Sequence, residues 1–169
     1  YLNKKFNSNH INRTGITVTG LQYDLDYKIS PNFGLDVPME QISKGNGGSC
    51  VLSAYSSSVI NLSNHLITSL GITAQYFTLN KNWTVEPRAA LKWSFNPKHA
   101  LALAYGLHSR REKLDYYFVE QEANGKTESN RYLDFSKAHH FGLTYDWNIN
   151  TYMHLKVEPY YQYLFRIPV

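Results

Sequence analysis

Seven histidines, His10, His65, His99, His108, His139, His140 and His154, are the first residues to which metal or acid–base chemistry can be attached. Imidazole binds transition metals and exchanges protons near neutral pH. Metal sites on one element need ligands at set spacings, however, and no HExxH-like pair occurs in this chain. On the strand reading developed below, His108, His140 and His154 point to a polar face, where hydrogen bonding is their expected work. His65, His99 and His139 stand beside turns or a loop. No metal site and no cofactor is expected.

The charges Asp24, Asp26, Lys28, Glu86, Arg88, Lys92, Lys156 and Glu158 could in principle include a general acid/base pair. Mutual ion pairing on one polar face is the expected arrangement instead. Serines crowd residues 49–58, but no GxSxG is present to hold one of them as a nucleophile. Gly45-Asn46-Gly47-Gly48 lacks the Lys-Ser/Thr of a phosphate loop and reads as a flexible loop tip. Asn12-Arg13-Thr14, Asn61-Leu62-Ser63 and Asn82-Trp83-Thr84 match the glycosylation sequon and read as chance matches. No catalytic residue can be named, no ligand-binding residue is identified, and an enzyme is not expected.

Composition narrows the remaining classes. The chain has 169 residues, of which 15% are aromatic and only 18% charged, which is not the makeup of a disordered segment. Lys+Arg 17 against Asp+Glu 13 gives a net charge of +4. The basic residues are scattered, so nucleic acid is not an expected partner. A lone Cys50 cannot form an internal disulfide. The longest apolar stretch, beginning at Ala100 (ALALAYGL), is far too short for a spanning helix. The chain opens on Tyr1 and stops at Val169 with no initiator methionine or signal segment, and it reads as one segment of something longer.

The elements that position these groups show in a period of two. Trp83, Val85, Pro87, Ala89, Leu91, Trp93 and Phe95 alternate with Thr84, Glu86, Arg88, Ala90, Lys92 and Ser94. Phe141, Leu143, Tyr145 and Trp147 alternate with polar or small neighbours, and Met153, Leu155, Val157, Pro159, Tyr161, Tyr163 and Phe165 alternate with polar ones, Leu164 being the one apolar exception. Leu21, Tyr23, Leu25, Tyr27 and Ile29 repeat the pattern, and residues 66–78 and 99–107 show it less cleanly. Turn formers separate the runs at Pro31, 61–64, 80–82, Pro97 and Asn150. Two connections, 40–48 and 110–137, are longer and polar. Adding a weak strand at 33–39 and another at 49–60 predicts an all-β antiparallel up-and-down meander of about eight long strands, as a single domain over 1–169. Connections at Pro31, 61–64, Pro97 and Asn150 are expected at one end; 40–48, 80–82 and 110–137 are expected at the other.

Alternation alone also suits a soluble β-sandwich. Run length and aromatic placement favour a transmembrane β-barrel wall. Soluble strands peak near about 5–6 residues, and these runs hold for roughly ten or more. Trp83 to Trp93 is about 33 Å of strand at roughly 3.3 Å per residue, and a tilt near 45° brings it close to the roughly 25 Å apolar band of a barrel. Aromatics suit the headgroup level at both ends of that span. The mean hydropathy of −0.43 is consistent, because half of a barrel wall faces a wet interior. Pro87 and Pro159 predict bulges or local irregularity.

Several segments together resemble a known family: Val85-Glu86-Pro87-Arg88, Ala104-Tyr105-Gly106-Leu107-His108-Ser109, Lys137-Ala138-His139-His140-Phe141, Lys156-Val157-Glu158-Pro159-Tyr160-Tyr161-Gln162-Tyr163, and the opening Asn12-Arg13-Thr14-Gly15 with Thr17-Val18-Thr19-Gly20. In this order they resemble the C-terminal part of the barrel of TonB-dependent outer-membrane receptors of the carboxypeptidase-regulatory-like type. The resemblance implies a Gram-negative outer-membrane location, a barrel of about 22 strands with a plug in its lumen, and uptake of a nutrient driven through TonB. The implied partners are outer-membrane lipids, the plug domain, the TonB system and an unknown nutrient ligand. With about eight strands and no plug, the chain would supply wall and outer loops and would not transport alone. Edge-to-edge self-association of its unpaired edge strands is also expected. Two other readings stay open: a self-contained eight-stranded outer-membrane barrel serving structure, adhesion or lipid-modifying chemistry, and a soluble β-sandwich binding module, for example for carbohydrate.

Overall fold

Period-two patterning with short turns has one regular outcome, the extended hairpin chain. The computed structural model describes residues 1–30, 39–123 and 126–168. The strands are β1 (Leu2–Asn7), β2 (His10–Ile29), β3 (Glu40–Ser63), β4 (Leu66–Phe77), β5 (Asn82–Asn96), β6 (His99–Arg110), β7 (Glu120–Ala123), β8 (Lys126–Ser129), β9 (Ser136–Asn148), β10 (His154–Val157) and β11 (Tyr160–Phe165). β7 and β8 form a small separate hairpin, flanked by 3-10 turns at Leu114–Phe118 and Asn130–Tyr132.

All the other strands form one antiparallel sheet in chain order. β10 and β11 share one register against β9, with Val157 opposite Tyr145 and Tyr160 opposite Gly142, so they are one strand interrupted at Glu158 and Pro159. The result is the expected up-and-down meander of eight strand positions. Among the described residues it is an open sheet, with β1 at one edge and β10/β11 at the other.

The membership of the eight differs from expectation. β1 and residues 10–20 of β2 are strand although their alternation is weak, because Lys4, Asn12, Thr14, Thr17 and Thr19 leave neither face apolar. The expected weak strand at 33–39 lies outside the described residues except Met39, which is not in a strand. Residues 40–48 are not a loop. They pair with β2 from Ile29 opposite Glu40 to Gln22 opposite Gly48. Their glycines serve packing: a Cβ on Gly45 would come within 2.7 Å of the Phe118 ring, and Gly47 has φ +147° beside the Tyr23 hydroxyl. Because Ile29 pairs with Glu40, β2 ends and β3 begins at the end with 78–81 and 111–135, and the expected turn at Pro31 lies outside the described residues. The turns at 8–9, 64–65, 97–98 and 149–153 share the opposite end.

Neither proline makes a bulge. Pro87 sits in β5 opposite Ile72, and the β5–β6 ladder ends one residue short of it, at Arg88 opposite Gly106, so no neighbour requires its missing N–H. Leu143 N–H donates to the Pro159 carbonyl (3.1 Å), but the return bond is impossible, and the ladder breaks there without changing register.

The buried apolar cluster is not sandwiched between two large sheets. β2 and β3 run past the end of β4, which stops with Phe77 opposite Val51, and the 111–135 connection folds against their projecting part as a cap. Val51, Phe77, Tyr117 and Phe135 are buried there, with Leu21, Leu79, Leu114, Phe118 and Leu133 packed around them.

Candidate functional site on a two-faced sheet

Strand register sorts side chains into two faces. Trp83, Tyr76, Leu52 and Val18 share one cross-strand row on the oily face. Thr68, Leu91, Leu103 and Leu143 share another, eight residues further along β5. No second layer covers this face among the described residues: Trp83 is 68% exposed, Leu103 54% and Trp93 51%. A soluble monomer rarely leaves so broad an apolar surface open.

Aromatic side chains gather toward both ends of that face from β4 to β11. One cluster holds Tyr105, His139, Phe141, Tyr163 and Phe165; the other holds Trp93, Phe95, His99, Tyr145 and Trp147. Each has a Tyr–His hydrogen bond, Tyr105 Oη to His139 Nδ1 (3.0 Å) and Tyr145 Oη to His99 Nδ1 (2.7 Å). The pairing satisfies polar tips that would be costly unpaired in an apolar setting. His139 is therefore not a loop-side residue: it lies within β9, opposite Leu107.

The opposite face is polar and hollow. One row across it reads Ser57, Gly71, Arg88, Gly106, His140 and Gln162; the next reads Ser69, Ala90, Ala104, Gly142 and Tyr160. These small residues leave a trough of about 650 Å³. At its rim Glu86, only 2% exposed, accepts hydrogen bonds from Gln75 Nε2 (2.7 Å), an Arg88 guanidinium N–H (2.9 Å) and the Ser109 N–H (3.2 Å). Beyond Pro87, where the β5–β6 ladder has ended, the Glu86 carboxylate and a Thr84–Ser109 hydroxyl pair (2.8 Å) hold the two strands together. Glu86→Leu should therefore destabilise the fold by about 1–3 kcal/mol, and Glu86→Gln, which keeps an acceptor, by clearly less. Urea unfolding of the two variants checks this; equal losses would refute the bridging role.

His108 and His140 meet in the same trough with ring centroids 4.4 Å apart, and the Tyr160 hydroxyl lies 3.3 Å from His140 Nδ1 and donates to Gln162 (2.7 Å). Sequence spacing gives no sign of this cluster, because the two histidines are 32 positions apart and meet only through the β6–β9 register. A second recess of about 590 Å³ opens from the same histidines toward the cap, past Arg110, Glu112, Tyr116 and Lys137. The Glu112 carboxylate accepts from Ser136 Oγ (2.5 Å) and lies 3.8 Å from Arg110. No group of three or more His, Cys, Asp or Glu that could hold a metal occurs among the described residues. The arrangement supports hydrogen bonding to a polar ligand.

In the cap, Glu112 N–H donates to the Tyr117 hydroxyl (3.2 Å), and burial raises the Tyr117 phenol above its ordinary value of 10.0. The neutral phenol is the form the fold favours. Its contribution is fully present below the unfolded value and is lost as pH rises through the higher folded value. The cap should hold at neutral pH and loosen in alkali above the ordinary tyrosine range, read as protease cleavage within 111–135. Tyr117→Phe should remove that alkaline step; its persistence would assign it to another group.

Ion pairing accounts for part of the charge set: Arg88–Glu86 (2.9 Å), Lys156–Glu158 (2.7 Å) and Lys28–Asp26 (3.7 Å); outside that set, His154 Nε2 lies 3.2 Å from an Asp146 carboxylate oxygen. Asp24 and Asp26 do not join the trough. They project from the oily side of β2 beyond the end of β4, while Leu21 and Tyr23 turn toward the cap. Among the serines, Ser56 and Ser58 turn to the oily side, and Ser57 to the polar one. Compared with known proteins, the chain matches no family model, no curated protein and no solved structure at a significant level.

Proposed function

We propose that the chain is a wall segment of a TonB-dependent outer-membrane receptor, supplying lipid-facing strands and outer loops to a larger barrel. The single observation that carries this reading is the uncovered oily face, spanned on β5 from Trp83 to Trp93 and exposed there at every position but the half-buried Val85. Hydrocarbon is the natural cover for such a face, with Tyr, Trp and His tips at headgroup level. The polar trough then faces the lumen, where the plug would sit, and the capped end with its long connection faces outward. Two open edges suit a segment whose neighbouring strands complete the barrel. The nutrient would meet the polar groups beneath the cap, and energy would come through TonB.

Outer-membrane fractionation tests the reading. The chain, expressed with an export signal and whatever flanking sequence its gene encodes, should stay with the membrane after alkaline carbonate washing and should need detergent for extraction. A folded monomer in detergent-free buffer would overturn it.

A further inference from the structure

The polar trough gathers basic groups without a free acid to match them. Gly106 lies between Arg88 and His140 in one cross-strand row, and a Cβ there would come within 2.8 Å of His108 Nε2 and 3.5 Å of Arg88 Cγ. The missing side chain thus seats the His108 imidazole over that row, its ring centroid 4.4 Å from that of His140. Arg88 gives one guanidinium N–H to Glu86, and with its side chain 48% exposed it keeps other donors open to the trough. His108 makes no hydrogen bond among the described residues. The Tyr160 hydroxyl donates to Gln162 (2.7 Å), so its oxygen accepts from His140 Nδ1 (3.3 Å). That places the proton of the neutral His140 ring on Nδ1 and leaves Nε2 with its lone pair.

The carboxylates of this face are already engaged. Glu86 is held by Arg88, Gln75 and the Ser109 N–H, Glu158 by Lys156 and Thr144, Asp146 by His154, and Glu112 in the adjoining recess by Ser136 and Arg110. Lys92 follows Arg88 and Ala90 on the same face of β5 and has no ion pair or hydrogen bond among the described residues. Two imidazoles and a guanidinium at such close quarters repel one another once charged, and a bound oxyanion removes that repulsion. The guanidinium fork matches the geometry of carboxylate and phosphate. A trough of about 650 Å³ has the size of a small-molecule site. Resting on the reading above, whose ligand it places in a chemical class, we infer that the trough over Gly106 binds the carboxylate or phosphate group of a small ligand. Arg88 and the two imidazoles are its donors, and Lys92 adds a charge further along β5. His140 becomes a donor at Nε2 only by taking up a proton from solvent, so binding is coupled to protonation.

NMR of protein carrying isotope-labelled histidine, expressed as for the fractionation and kept in detergent if extraction needs it, tests the site. Succinate and inorganic phosphate are the probes, and uncharged succinamide is the control. An anion should shift the His108 and His140 signals and bind more tightly at about pH 6 than at about pH 8, on either side of the ordinary imidazole value of about 6.5. The other groups facing the imidazoles are Glu86 and Arg88 from β5, Arg110 from β6, Tyr160 from β11, and Glu112 and Lys137 beside the recess. Carboxyl, guanidinium, ammonium and phenol groups ordinarily titrate outside that range, which leaves the dependence to the histidines. His108→Gln with His140→Gln should weaken binding about tenfold and flatten its pH dependence. Lys92→Gln, which removes no contact of the fold, should weaken it about threefold at both pH values. A response to one anion alone would uphold the site and assign the ligand's group. An equal response to succinamide, no response to either anion, or shifts confined to other histidines would overturn it. None of these readouts involves the oily face, so the site can fail while fractionation upholds the membrane wall, and the wall can fail with the site intact.

Discussion

If hydrocarbon covers the oily face as proposed, Leu103→Arg should destabilise the fold by about 2–4 kcal/mol, the cost of a cation on the lipid side near the bilayer midplane. Ala104→Arg, one residue away at nearly the same depth, should cost far less. Leu103 lies in the row of Leu91 and Leu143 with its side chain uncovered, whereas Ala104 lines the trough between Ala90 and Gly142. The pair isolates direction, because strand, depth and introduced charge are shared. Denaturant titration in lipid vesicles measures both. In a soluble protein whose outer surface simply carries exposed leucine, Leu103→Arg would be nearly neutral and the trough variant the worse of the two. That reversal would remove hydrocarbon as the cover of this face.

Phe77→Ala is expected to be comparably severe for a different reason. Phe77 is fully buried at the end of β4, its ring meeting Tyr117 edge-on at 5.4 Å between centroids. Removing a buried phenylalanine costs about 3–5 kcal/mol when the site cannot collapse. Collapse is restricted here, since Val51 opposite is held by the β2–β3–β4 ladder. The loss should fall on the cap more than on the sheet: Tyr117, Phe118 and Phe135 lie in the 111–135 connection or at its junction with β9, whereas the long strands have their own ladders. Hydrogen exchange should show amides of 111–135 deprotected while those of β4 to β6 and β9 stay slow. Uniform deprotection would mean that cap and sheet unfold as one unit.

Both expectations depend on features that differ in how readily the chain reveals them. The strands of 83–95, 139–149 and 153–165 could be read directly, because one face of each is apolar and a period of two is a local property. Strand β1 and the first half of β2 were invisible to the same reading. Lys4, Asn12, Thr14 and Thr17 give no contrast between faces, and those residues are strand because their neighbours supply hydrogen bonds. Residues 40–48 misled for a related reason: Gly45 and Gly47 are the residues of a turn, yet here they admit Phe118 and Tyr23 against a paired strand.

The amino-acid order by itself determined an antiparallel meander with an oily and a polar side, since alternation fixes which neighbours share a face. Tertiary structure alone decided what each face assembles: the His108–His140 pair, the three donors on Glu86, the Tyr–His bonds of the aromatic clusters, the cap over Phe77, and the polar cluster of Asn12, Thr14, Ser56 and Ser58. These partners lie far apart in sequence in nearly every case, and only cross-strand register, set by pairing along whole strands, brings them together.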